Sequence, residues 1–245
     1  MTPNAFTAKR PSLFKLLLEG RAFAEFGAYY AAFPWLQVAP RGDGHPVLIL
    51  PGYMADDLST LPLRTYLKSR GYAPHGWKLG RNLGNETDLM QGCSDRILDR
   101  LDALWQQYGR KVSLIGWSLG GIYARELARL RPDQVRQVIT MGSPFNGNFR
   151  ANHVSRFYEM SSGHSLSDLD PELMARMKRP LLMPTTAIYS RLDGIAAWEC
   201  CLLIPDATSE NIKVSSSHCG FGFHPQVLWI IANRLNQPED NWQPY

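Results

Sequence analysis

Cysteine is scarce in this chain, charge excess is slight, and no long apolar run is free of charges. Four cysteines in 245 residues are too few for a small disulfide-stapled fold. Cys93, Cys200, Cys201 and Cys219 have no metal-ligand spacing, and no Gly-x-Gly-x-x-Gly fingerprint is present. No metal and no cofactor is therefore expected, and the thiols read as reduced, which points to a cytoplasmic setting. The net charge of +4 is scattered. Arg125, Arg129, Arg131 and Arg136 are interleaved with Glu126 and Asp133, so they read as a solvated face, and no nucleic-acid partner is expected. Internal repeats and low-complexity segments are also missing.

The apolar stretch from Leu13 to Leu36 follows Lys9 and Arg10, but Lys15, Glu19, Arg21 and Glu25 interrupt it and Pro34 falls inside it. That argues against a signal peptide and against a membrane span. Leu13, Leu16, Leu17, Gly20, Phe23, Ala24 and Gly27 share one helical stripe. The expectation is a helix docked on the domain through that stripe. The alternative is an interfacial helix that meets lipid over residues 12–36.

What is present, at 44% hydrophobic and 20% charged residues, is ordinary globular composition, and the length supports one large core. Pro46 to Leu50 is a continuous apolar run, as in a strand buried on both faces. Further strands are expected at 72–77, 112–115, 135–141, 184–189 and 211–214, and helices at 58–70, 88–108, 119–130 and from Pro225. The 88–108 helix would bury Ile97, Leu101, Leu104, Trp105 and Tyr108. This alternation implies an α/β fold with a mostly parallel central sheet and helices on both faces. Residues 1–40 read as an N-terminal helical segment and 41–245 as the domain. An irregular insertion at about 144–182 lies over one end of the sheet.

Gly116-Trp117-Ser118-Leu119-Gly120 lies between an expected strand and an expected helix. A sharp strand-to-helix turn strains the central serine and lifts its hydroxyl above the sheet. Neighbours two residues away on either side must then be glycine. The helix N-terminus beside Ser118 would favour an oxyanion. A serine hydroxyl needs a base with a pKa near the working pH, which favours histidine. His45, His75, His153, His164, His218 and His224 are the candidates.

The chain resembles the α/β-hydrolase superfamily, in its lipase- and esterase-like branch, over about residues 45–236. Besides the serine motif, the likeness rests on Leu48-Ile-Leu-Pro-Gly-Tyr-Met54, Val138-Ile-Thr-Met-Gly-Ser-Pro144 and Ser217-His-Cys-Gly-Phe-Gly-Phe-His-Pro225. The family's chain order of nucleophile, acid and base implies Ser118, Asp193 and His218. Asp206 and then Glu199 stand behind Asp193, and His224 stands behind His218. The oxyanion hole would use the amides of Tyr53 and Leu119. Pro51 stands where the family's loop usually has histidine. Trp117 would face the pocket or fill the core. Phe145 and Phe149 would touch substrate from the insertion, with Phe157, Tyr158, Met160 and Met174 beside them. The implied function is hydrolysis of a lipid-like or otherwise apolar carboxylic ester through an acyl-enzyme. Acyl transfer by the same residues and a non-catalytic binding role are the alternatives. Small-molecule or lipid esters are the expected partners, and the sequence is silent on oligomeric state.

Overall fold

The computed structural model describes residues 5–88, 92–148, 150–153, 155, 159, 171–239 and 241–245. The elements are α1 (Leu13–Leu17), α2 (Ala22–Leu36), β1 (Pro46–Leu50), α3 (Leu61–Ser69), β2 (Ala73–Gly76), β3 (Thr87–Asp88) and β4 (Gly92–Cys93). They continue with α4 (Asp95–Tyr108), β5 (Val112–Trp117), α5 (Leu119–Leu130), β6 (Val135–Met141), α6 (Pro171–Lys178), β7 (Thr185–Ser190), β8 (Ser209–Val214) and α7 (Pro225–Leu235).

Six strands form one parallel sheet in the order β2-β1-β5-β6-β7-β8. Every residue of β1, β5 and β6 is buried, because helices cover both faces. Leu48 and Leu50 point into a core shared with α4 and α5. Val47 and Ile49 point the other way, into a core shared with α2, α3 and α7. The order of the strands places the functional end. From β1 the chain first steps outward to β2, and then returns to lay β5 against the other side of β1. Loops leaving the C-terminal ends of β1 and β5 therefore diverge, and a crevice opens between them.

Three sequence expectations change. The α4 helix starts at Asp95, not Asp88, because a short antiparallel hairpin of β3 and β4 occupies the preceding residues. Ser94 holds the extended N-cap position, and Gly109 ends the helix at φ 59°. Trp105, expected inside, is 39% exposed, whereas Ile97, Leu101 and Leu104 are fully buried.

Of the arginines expected on a solvated face, Arg125, Arg129 and Arg136 turn inward, while the Arg131 side chain stays 36% exposed. Arg125 is 1% exposed and donates to the carbonyls of Met177 and Arg179. Arg129 reaches the Arg179 carbonyl at 2.6 Å, Arg131 pairs with Asp102, and Arg136 pairs with Asp43. The α6 region lies across α5, and the Arg125 and Arg129 guanidinium groups satisfy carbonyls there that burial would otherwise strand.

The N-terminal stripe is also inverted. Leu13, Leu17 and Phe23 are 71%, 80% and 88% exposed, while Glu19 and Glu25 are buried. The segment docks through Tyr29 and Leu36, through Trp35 stacked on Trp229 at 4.4 Å and through its two carboxylates. Among the described residues no helix is long and apolar enough to cross a membrane.

Candidate active site

The crevice gathers four strand ends. At the end of β5 the backbone turns sharply into α5, and Ser118 takes φ 53° and ψ −120°, a region that costs an L-residue strain energy. Its N–H donates to the Met141 carbonyl at 2.8 Å, which ties the bend to β6. A Cβ on Gly116 would strike the Gly120 carbonyl and the Gly121 backbone, and one on Gly120 would strike the Leu50 carbonyl. Glycine at both places is what allows helix, strand and β1 to converge there.

Beyond β7, Asp193 is buried, and its Oδ1 accepts from the amides of Ile195 and Ala196, each at 2.8 Å. Those bonds aim Oδ2 at His218 Nδ1, 2.7 Å away. Beyond β8, His218 packs edge-on against Phe221, and its carbonyl accepts from Trp117 Nε1 at 3.0 Å. Burial of the imidazole works against its charge. The Asp193 carboxylate, by charge and hydrogen bond, and the Glu19 charge outweigh that, and the net shift of His218 is upward.

A cavity of about 240 Å³ is bordered by Ser118, His218, Gly52, Tyr53, Ala55, Trp117, Ile195 and Cys219. Its walls are largely apolar. Gly52 approaches Ser118 closely, since a Cβ there would lie 3.3 Å from Ser118 Cβ. Leu119 is the first residue of α5, so its N–H has no acceptor within the helix. Tyr53 lies on the loop after β1. Asn82, absent from the sequence reading, braces that loop. Its Nδ2 donates to the Pro51 carbonyl at 2.8 Å, and its own carbonyl accepts from Met54 N at 2.7 Å. Nothing local in the sequence marks Asn82, because its partners lie about thirty residues away.

Other candidates sit elsewhere. His224 caps α7, its Nδ1 accepting from Gln226 N. His75 faces the Tyr108 hydroxyl at 2.9 Å, and His153 faces the Pro11 carbonyl at 2.9 Å. Asp206 accepts from Thr208 N in an exposed turn. Trp117 both borders the cavity and joins the core. Phe145 is 1% exposed and lies under the Arg125 guanidinium in the core. It packs in the core and is not among the residues that border the Ser118 cavity. Phe149, Phe157, Tyr158, Met160, His164 and the Met174 side chain fall outside the described residues. Among the described residues, no group of three or more His, Cys, Asp or Glu side chains is arranged to hold a metal ion.

The parallel sheet, the strained serine after β5 and the crevice at the strand ends make up an α/β-hydrolase fold. Residues 76–170 match the model of the PGAP1-like alpha/beta domain. The chain is 24% identical, over 82% of its own length and 96% of the relative's, to a pimeloyl-[acyl-carrier protein] methyl ester esterase of Aliivibrio salmonicida (strain LFI1238). Among solved structures it is similar to Aspergillus fumigatus lipase B, with TM-score 0.59, 15% identity, and cover of 79% of this chain and 53% of that one. It is also similar to the mature Bacillus licheniformis lipase BlEst2, with TM-score 0.57, 14% identity, and cover of 82% and 95%.

Proposed function

We propose that the chain is a serine hydrolase of carboxylic esters, with Ser118 as nucleophile, His218 as base and Asp193 as the acid that orients it. The observation that carries this reading is the strained Ser118 at the rim of a cavity also bordered by His218, whose other ring nitrogen lies 2.7 Å from Asp193. The similarity to an acyl-carrier methyl ester esterase and to lipases supports ester as the substrate class.

Ser118 Oγ attacks the ester carbonyl as its proton passes to His218 Nε2. The tetrahedral oxyanion accepts hydrogen bonds from the amides of Tyr53 and Leu119. The C–O bond to the alcohol breaks, and the alcohol leaves with the proton from His218. Water then gives a proton to His218 and attacks the acyl-enzyme. Collapse of the second intermediate breaks the acyl–Oγ bond, the carboxylic acid departs, and Ser118 regains its proton. The largely apolar cavity walls suit an aliphatic acyl group.

Ser118→Ala is expected to lower turnover of short p-nitrophenyl and methyl esters by several orders of magnitude at unchanged melting temperature. Turnover within tenfold of wild type would overturn the reading. Free acid as the product in the presence of added alcohol separates hydrolysis from acyl transfer.

An anionic lipid surface is the proposed peripheral partner of residues 12–36. Glu19 and Glu25 are the sole acidic residues of that stretch, and both face inward. Its outer side therefore presents Leu13, Phe14, Leu17 and Phe23 near the exposed Lys9 and Arg10. Co-sedimentation with phosphatidylglycerol vesicles, weakened in Phe14→Ser/Leu17→Ser, tests this. Equal retention by phosphatidylcholine and phosphatidylglycerol would contradict it.

A further inference from the structure

Two loops must hold their relative position for His218 and Asp193 to act, and neither strand end fixes the other. The loop after β7 carries Asp193 and Gly194. The loop after β8 carries Ser217, His218 and Cys219. A third piece of chain, the turn between α1 and α2, lies across both. Glu19 Oε1 accepts from Gly194 N at 2.7 Å and from His218 N at 3.0 Å, and Glu19 Oε2 accepts from Cys219 N at 2.9 Å. One carboxylate thus joins the acid loop to the base loop through three backbone donors. Glu25 extends the junction, accepting from Ser217 N at 2.8 Å and Ser217 Oγ at 2.5 Å. Arg21 pairs with Glu25 at 3.2 Å and donates to the Leu192 carbonyl at 2.9 Å, and Lys15 donates to the Arg191 carbonyl at 2.8 Å. The seating is close. A Cβ on Gly194 would strike the Lys15 carbonyl, and one on Gly220 would strike the Glu25 carboxylate.

The geometry points to Glu19 as a positioning residue for the hydrolytic site: from outside the sheet it fixes the base loop against the acid loop, and it places a negative charge behind the His218 imidazole. This inference rests on the assignment of Ser118, His218 and Asp193 made above. Hydrogen bonds to a carboxylate are about twice as strong as those to a neutral acceptor, and salt screens a buried charge weakly. The charged and titratable groups facing His218 are Asp193, Glu19 and the Cys219 thiol, with the Glu25–Arg21 pair behind Ser217. Among these, Glu19 reaches both loops. Its charge contributes to the upward shift of His218 and, after burial, to that of the Cys219 thiol, which is pushed up to about 12.

The test separates reach from charge. Glu19→Asp keeps the charge but withdraws the carboxylate by one methylene. Glu19→Gln keeps the length but loses the charge and turns an NH2 toward backbone donors. Glu19→Asp is expected to lower kcat for a p-nitrophenyl ester by about 10- to 100-fold with little change in KM, and to leave the acid limb of the kcat/KM profile in place. Glu19→Gln is expected to lower kcat similarly and to move that limb to lower pH. If Glu19→Gln does not fold, the Glu19→Asp result alone decides.

Wild-type kcat in soluble Glu19→Asp, or an unmoved acid limb in folded Glu19→Gln, overturns the inference. Ser118→Ala is run beside them. If it retains activity the underlying assignment fails, whereas an inactive Ser118→Ala with an unaffected Glu19 series removes the positioning role alone.

Discussion

Serine, histidine and aspartate are grouped twice in this chain, at opposite ends of β5. At its start, His45 lies between Asp43, whose Oδ1 is 2.5 Å from Nδ1, and Ser113, whose Oγ is 2.8 Å from Nε2. Beyond its end stand Asp193, His218 and Ser118. By residue type the two sets are equivalent, and their surroundings divide them. Ser113 and His45 are both 0% exposed, so no substrate reaches them, and Ser113 sits inside β5 rather than on a strand-to-helix turn. Ser118 is strained and borders a cavity.

The electrostatics diverge as well. Burial lowers His45 to about 4, and Arg136 and Arg110 add to that against the pull of Asp43. His218, also buried, has the Asp193 and Glu19 carboxylates around it, and its shift is upward. Burial alone works against the charge of Asp43, but its bonds to His45 and Arg136 prevail and hold it well below the usual carboxylate range. Access, backbone strain and the sign of the neighbouring charge single out the Ser118 set as the candidate site.

Substitution of the two aspartates gives the largest contrast. Asp193→Asn is expected to cost on the order of 10³- to 10⁴-fold in kcat, because the imidazole loses the partner that sets its tautomer. Asp43→Asn is expected to leave kcat within about threefold and to lower stability by about 1 kcal/mol, read by ester turnover and denaturant melts. Comparable activity losses in the two variants would erase the distinction.

The two histidines separate next by pH. The proposed base works only as neutral imidazole, so kcat/KM should rise with pH through a point above the ordinary 6.5. A limb below 6.5 would contradict the upward shift. Stability follows the opposite histidine. His45 stays neutral in the fold down to about 4, whereas the unfolded chain takes up that proton near 6.5. Between those values the unfolded state binds more protons, so His45 makes the fold lose stability as pH falls from about 6.5 to about 4. The raised His218 has the other sign. Its stabilising contribution is full below 6.5 and is lost as pH rises through its higher folded value. His45→Gln should therefore flatten the acid-side fall in melting temperature, a smaller effect than either loss of activity. An undiminished fall would assign it to other groups.

Legibility in the sequence follows the range of the interactions. β1 is readable because a buried parallel strand is a continuous apolar run. The bend at Ser118 was readable because its glycines answer to neighbours in the same turn. Asp193 and His218 needed a family layout, since nothing near either residue announces the 2.7 Å contact between them. The start of α4 was misjudged because the hairpin before it depends on pairing rather than on helical period. In the N-terminal segment, hydrophobic periodicity pointed to the wrong face. Burial there is driven by two carboxylates accepting backbone amides from loops nearly two hundred residues away, and periodicity carries no trace of such partners. Asn82 was missed for the same reason.

The most direct measurement is labelling with a fluorophosphonate followed by mass mapping of the modified peptide. One adduct is expected, on Ser118, formed by the wild type and lost in His218→Ala, with Ser113 unmodified in both. An adduct on any other residue, or undiminished labelling of Ser118 without the His218 imidazole, would contradict it.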